Sequence, residues 1–324
     1  MKAALCKTLT GPDEIVIEDI AEPVAGPGEA VIRVKAAALN FLDTLAVRGK
    51  YQFKPPMPFS PASEFAGVVE SVGTGVTNVK VGLRVFGSAG YGAAREKMAV
   101  KTENLITIPD GVSDEIAAGV TVTYGTALHG LKDRGQLKVG ENVVVLGASG
   151  GAGLAAVELA KLMGGRVIAC ASTEEKLAVC KERGADALIN YSSGDLKDDI
   201  RKHTGGNGAD IVYDCVGDKF SEPAIRAMNW GGRFLVVGFA AGQIPKIPLN
   251  LLLLKNSSLV GVFWGAHAAR DPEANRANLR QLIGWVAEGK LKPHIHKIFP
   301  LAQTADAIRE LDRRASTGKV IIKP

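Results

Sequence analysis

Long apolar runs are missing from this 324-residue chain. The leucine-rich PLNLLLLK (Pro248–Lys255) falls far short of the roughly 20 residues that cross a bilayer as a helix. Cysteine is scarce: Cys6, Cys170, Cys180 and Cys215 are the only four, and no two stand in CxxC spacing. That excludes a disulfide-framed secreted module and reads as four small buried hydrophobes in a reducing compartment. Aromatic residues make up 6% of the chain and do not interleave with basic ones as single-strand nucleic-acid binding requires. No run of five like charges occurs, so the formal charge of +5 is spread thin. It argues against a nucleic-acid arm and suits a small anionic ligand. The N-terminus, MKAALCKTLTGPDEIVIEDI, shows no basic stretch followed by an apolar core, as a secretory leader would. A cytoplasmic protein without a membrane partner is expected.

What remains is ordinary globular composition, 46% hydrophobic and 23% charged, in a chain long enough for two domains. The first 120 or so residues are rich in Val, Gly and Pro, with strand-like segments such as EAVIRVKAAAL and SEFAGVVESVG between turns. This predicts a β-barrel-like region. From about residue 140 the pattern changes. ENVVVLG (141–147) is a continuous apolar strand, and a helix follows over 151–163 with Ala155, Leu159, Leu162 and Met163 on one face. RVIACA, ALINY, ADIVYDCVG and RFLVVGF then alternate with helical segments, which predicts an α/β, doubly wound parallel sheet. The last elements, from SSLVGVFWG to GKVIIKP, are too few for a domain of their own and are expected to return to the first. The predicted boundaries are 1–122, 123–262 and 263–324.

Between the first strand of the α/β region and its helix lies GASGGAG, Gly147 to Gly153. It reads as Ala148-x-Gly150-x-x-Gly153, one glycine short of the usual dinucleotide fingerprint. The physics survives: Gly150 admits a pyrophosphate close to the backbone, Gly153 allows helix and strand to pack tightly, and the helix N-terminus offers free N–H groups. An NAD site normally ends its second strand with an acid that holds the ribose hydroxyls. Here Ala171, Ser172 and Thr173 stand there, with Lys176 one turn on. A hydroxyl and an ammonium suit a 2′-phosphate, so NADPH is the expected cofactor. Glu174 and Glu175 weigh against it unless they are exposed first-turn helix acids.

VVVLGASGGAG, VTYGTALHGL, EFAGVVESVG, ADIVYDCVG and GKVIIKP together resemble the medium-chain dehydrogenase/reductase superfamily, and within it the zinc-free, zeta-crystallin-like quinone oxidoreductases. The likeness is colinear over essentially the whole chain. It implies a GroES-like β-barrel domain with an inserted Rossmann sheet, an active-site cleft between them, and a homodimer through Rossmann edge strands, here SSLVGVFWG. It also implies site residues. Asn40 and Asp43 match the loop where zinc enzymes carry a catalytic Cys, with Asn40 toward the nicotinamide. Tyr51 matches the proton donor of related enoyl-thioester reductases. The cofactor set is Asn40, Thr123, the loop Ser149, Gly150, Gly151, Ala152 and Gly153, then Ser172, Lys176 and Tyr191 around the 2′-phosphate, with Val216, Gly238, Phe239, Phe263, Trp264 and Gly265.

PASEFAG (61–67) matches the place where zinc alcohol dehydrogenases have Gly-His-Glu, and its His position is Ser63. A catalytic zinc needs three ligands of the Cys, His or carboxylate type. Asn40 and Ser63 supply an amide and a hydroxyl, so no metal is expected, and Glu64 is expected as a buried, hydrogen-bonded acid. His294 and His296 lack a third ligand nearby in sequence, and His129 reads as a packed residue. Without a Lewis acid an alkoxide is hard to stabilise, whereas a conjugated acceptor needs less help. The expected activity is NADPH-dependent reduction of a quinone or enone. Reduction of 2-enoyl thioesters, with Arg48, Lys50 and Lys54 as a basic groove, stays open, as does an NADPH-binding protein with little turnover. Tyr51 stands equally well as donor or as a rim aromatic.

Overall fold

A computed structural model describes residues 1–324, which pack as two units: Met1–Val122 with Arg276–Gly289 and Pro293–Pro324, and Thr123–Asn275 with Lys290–Lys292. In the first unit, β1 (Lys2–Cys6) and β2 (Ile15–Asp19) form an antiparallel pair. The alternating stretch EAVIRVKAAAL becomes β3 (Glu29–Leu39), followed at once by helix α1 (Phe41–Ala46). β4 (Glu64–Val72), β5 (Arg84–Ser88), β6 (Lys97–Lys101) and β7 (Leu105–Thr107) complete the antiparallel run, and the short helix α2 (Asp114–Ala118) precedes α3 (Thr121–Leu128). The core of this unit includes Ile32, Leu39, Phe59, Phe65 and Val85.

The second unit holds β8 (Asn142–Leu146), α4 (Gly151–Leu162), β9 (Arg166–Ala171), α5 (Glu174–Glu182), β10 (Ala187–Asn190), α6 (Leu196–His203) and β11 (Ala209–Asp214). It continues with α7 (Ser221–Arg226), β12 (Met228–Val236), α8 (Asn250–Leu253), β13 (Ser258–Gly261) and α9 (Trp264–Arg270). All six strands are parallel, in the order β10-β9-β8-β11-β12-β13. Val143 to Leu146 are fully buried, as a central parallel strand covered on both faces must be. The order reverses between β8 and β11, and a crevice for ligands forms outside the carboxyl ends of strands at such a point.

The chain then runs through α10 (Pro272–Ala287), β14 (Ile295–Pro300), α11 (Thr304–Asp312) and β15 (Lys319–Lys323). β14 and β15 extend the first unit's sheet, in the order β14-β15-β3-β4-β5-β7 with β6 also on β3. Two details differ from the sequence reading. Residues 263–275, assigned above to the returning segment, pack with the second unit: the Trp264 indole lies over Gly125 and donates to Asn275 Oδ1 at 3.1 Å. Helix α4 does not bury one stripe. Gly153 to Ala160 are all buried, while Leu162 is 37% exposed. The helix rests on β8 and β9 and is covered from another side by the turn His129–Arg134, and its small residues permit that double contact.

Candidate functional site

A buried cluster of charged and polar groups forms in the first unit where β3 ends. Asn40 opens α1, and Asp43, three residues on, turns back to cap it: Asp43 Oδ2 accepts from Asn40 N at 2.8 Å. Its other oxygen accepts from Ala62 N at 2.9 Å, holding the segment before β4, where Ala62 adopts a positive φ of 66°. Burial pushes the Asp43 carboxyl up to about 6, against the two N–H donors and the nearby Lys319 charge. It is therefore ionised at neutral pH. Asp43 positions Asn40 and Ala62.

Glu64, the first residue of β4, is completely buried. Its Oε1 accepts from Asn40 Nδ2 at 2.8 Å and from Lys319 Nζ at 2.6 Å, and its Oε2 accepts from Val122 N, in the first turn of α3, at 2.7 Å. Lys319, the first residue of β15, is 3% exposed. Its ammonium donates three bonds, to Glu64 Oε1, to Asn40 Oδ1 at 2.6 Å and to Leu39 O at 3.1 Å. Those are all the donors an ammonium has. Both ends of the Asn40 amide are thereby fixed, one by a cation and one by an anion. Lys319 was not among the residues singled out in sequence. The available signal was Glu64 itself: a carboxylate inside an apolar strand demands a buried counter-charge, and Lys319 is the cation that opens the apolar closing strand.

This donor set does not fit a zinc ion. The amide oxygen of Asn40 and Glu64 Oε1 are already held by an ammonium, which would repel a divalent cation at the same atoms. The remaining group, Ser63 Oγ, is a buried hydroxyl without a hydrogen-bond partner and a poor zinc ligand. Tyr51 is partly buried against the first unit's core, and burial, with Asp43's charge added, raises its phenol above the usual value. Arg48 is engaged, with Nη2 2.5 Å from Asp312 Oδ2 and Nη1 on Thr44 O. That leaves Lys50 and Lys54 of the basic groove considered for thioesters.

In the second unit the sequence-predicted cofactor residues other than Thr123 follow the carboxyl ends of the parallel strands. Ser149 to Gly153 lie after β8, Ser172 and Lys176 after β9, Tyr191 after β10, Val216 after β11, Gly238 and Phe239 after β12, and Phe263, Trp264 and Gly265 after β13. Gly147 turns the chain out of β8 with φ 69°. At Gly153 an added Cβ would stand 2.2 Å from Gly147 O, so helix and loop meet at a distance only glycine allows. Gly150 caps α4, and no acid occupies the first turn, which leaves the helix N-terminus open to an anion. Lys176 Nζ lies 3.3 Å from Ser172 Oγ, so the predicted hydroxyl and ammonium do stand together. Glu174 and Glu175 sit in the first turn of α5, capped by Thr173, and Glu174 is turned to Asn190 Nδ2. Tyr191 packs against Phe220, with ring centroids 4.5 Å apart and the ring planes tilted by 41°. The loops after β11 and β12 are laced together, Gly238 N to Asp214 O and Ala241 N to Val216 O. Thr123 is buried in α3.

Residues 26–110 match the alcohol dehydrogenase GroES-like domain, and residues 151–287 match a family described as zinc-binding dehydrogenase. The chain is 38% identical to quinone oxidoreductase-like protein 2 of Bos taurus, over 99% of this chain and 92% of that protein. It is 33% identical to a quinone oxidoreductase of Pseudomonas aeruginosa, over 97% of each. The Escherichia coli quinone oxidoreductase complexed with NADPH superposes with a TM-score of 0.90 at 25% identity, covering 100% of both chains. Fold, loop and likeness agree: the chain belongs to the medium-chain dehydrogenase/reductase superfamily, in the branch of the quinone oxidoreductase-like proteins.

Proposed function

We propose that this oxidoreductase is an NADPH-dependent, metal-independent reductase that delivers hydride to a quinone or other conjugated carbonyl acceptor. The carrying observation is Lys319. Its ammonium takes the atoms a catalytic metal would need, so the site is arranged for an acceptor that is already electrophilic. NADPH supplies the hydride. Gly150 and the first turn of α4 bind its pyrophosphate, and Ser172 with Lys176 binds its 2′-phosphate, as the paired hydroxyl and ammonium support. The E. coli relative's complex with NADPH supports the same choice. Asn40, held rigid by Lys319 and Glu64, orients groups at the reacting end, and Asp43 keeps its loop in place.

A second reading rests on Tyr51. Its phenol stays protonated at neutral pH and is a competent proton donor to a reduced 2-enoyl thioester. One assay separates the readings: loss of nicotinamide absorbance with NADPH or NADH against an ortho-quinone, a para-quinone, a simple enone and crotonyl-CoA. Fast quinone turnover with NADPH alone supports the proposal. Preference for crotonyl-CoA, abolished by Tyr51→Phe, replaces it with the second reading. Tight NADPH binding with no turnover on any acceptor refutes both and makes the chain a cofactor-binding protein.

The assembly we propose is a homodimer through β13, an edge strand of the six-stranded sheet, whose exposed main chain is suited to pairing with a second copy. Trp230, Leu249, Leu253 and Leu254, also in the second unit, are all at least 69% exposed, more apolar surface than a lone subunit usually displays. Light scattering at dimer mass, shifted to monomer by Leu254→Glu, tests it. A cytoplasmic location accords with four unpaired thiols, three of them buried. No helix is long and apolar enough to cross a membrane.

A further inference from the structure

The second unit contains a cluster that the hydride chemistry leaves unused. His129 begins a π-helical turn, His129–Arg134, that continues α3. Such turns are uncommon and recur at functional sites. Within it Asp133 Oδ2 lies 2.8 Å from His129 Nδ1. From α9, His267 lays its ring parallel to that of His129, with centroids 4.1 Å apart and planes 9° from parallel. One ligand atom from each of the three side chains lies within 4.8 Å of the other two.

Two features distinguish this group from a packed histidine pair. His267 Nε2 is buried and has no hydrogen-bond partner, a condition that a ring nitrogen in a folded protein seldom keeps. Asp133 is one-third exposed, which leaves the cluster a way in from solvent.

We infer that His129, Asp133 and His267 form a binding site for one divalent first-row cation of the zinc or nickel type. Two imidazole nitrogens and one carboxylate oxygen select that class. No thiolate is present to favour soft ions, and one carboxylate is too little oxygen for calcium or magnesium. Bonds of roughly 2.0–2.2 Å to a single ion set donors about 3.3 Å apart, so the side chains must close in and the two rings must swing out of their parallel stack, because each nitrogen lone pair lies in its own ring plane. Water fills the remaining positions on the Asp133 side. The ion joins the turn after α3 to α9 and so steadies the helix that begins with Trp264. The site lies wholly within the second unit.

The test uses untagged full-length protein, stripped with chelator and titrated with Zn²⁺ and then Co²⁺ by calorimetry and visible absorption. The expected result is one ion per chain, d–d bands with Co²⁺, and a Tm rise of about 5 °C with Zn²⁺ at about a hundredfold over Kd. His267→Gln should abolish binding. Asp133→Asn, a change at an exposed position that spares the fold, should weaken it tenfold or more. His294 and His296 are the competing site; they already bond Thr317 Oγ1 and Glu310 Oε1. The double variant His294→Asn/His296→Asn should therefore bind as wild type does. No binding, binding unchanged in His267→Gln, or binding lost only in the His294/His296 variant overturns the inference.

Discussion

Lys319→Met is the most informative single change in the first unit. It keeps the bulk of the side chain and removes a cation that donates to Glu64, Asn40 and the Leu39 carbonyl. What remains is a fully buried carboxylate with only Asn40 Nδ2 and Val122 N to solvate it. Breaking a buried ion pair on one side costs about 3–5 kcal/mol, mostly because the surviving charge is stranded. For a unit of this size that corresponds to roughly 10 °C in Tm. Removing both charges should be far milder, so Glu64→Gln/Lys319→Met is expected to recover most of the loss. The double-mutant cycle should show coupling of about 2 kcal/mol or more.

Urea unfolding of wild type, both single variants and the double variant measures all of this. A Lys319→Met loss below about 1 kcal/mol, or strictly additive single variants, would refute the argument, since surface-like ion pairs behave that way.

Three further outcomes are expected. Lys176→Ala should raise the Kd for NADPH roughly tenfold, the worth of one charge-assisted hydrogen bond, and leave NADH nearly unchanged; fluorescence titration with both cofactors reads the difference. Gly153→Ala sets a methyl 2.2 Å from Gly147 O, so the loop must shift, and the same titration should show NADPH binding reduced at least tenfold. Asp43, at about 6, is protonated more readily folded than unfolded, so its contribution is greatest at low pH and is lost as pH rises from about 4 to 6. Over that window it amounts to as much as about 3 kcal/mol. Stability curves of wild type and Asp43→Asn should diverge there and run parallel above pH 7 or so; identical curves throughout would remove the raised carboxyl.

Local patterns decided a great deal. Short apolar runs alternating with helical segments point to the strands of a parallel sheet, so β8, β9, β11 and β12 were readable without contacts. The glycines between β8 and α4 announced a tight strand-to-helix turn for the same reason, because their conformational requirement is local. The absence of a histidine at Ser63 was equally plain. Periodicity failed at Leu162, because whether a helix buries one face or two depends on what lies behind it, and His129–Arg134 lies there. It also misplaced residues 263–275, whose allegiance is settled by the Trp264 ring on Gly125. Above all, sequence showed Asn40 and Ser63 where the resemblance expects metal ligands, and not the cation that Asn40 and Glu64 meet. Lys319 meets Glu64 and Asn40 only because β15 pairs antiparallel with β3, bringing the end of the chain beside Leu39. His129 and His267 likewise stack only once α9 is packed in place. Charge and chemistry are written residue by residue, but a partner across the fold is a property of strand register and packing, which no local window contains.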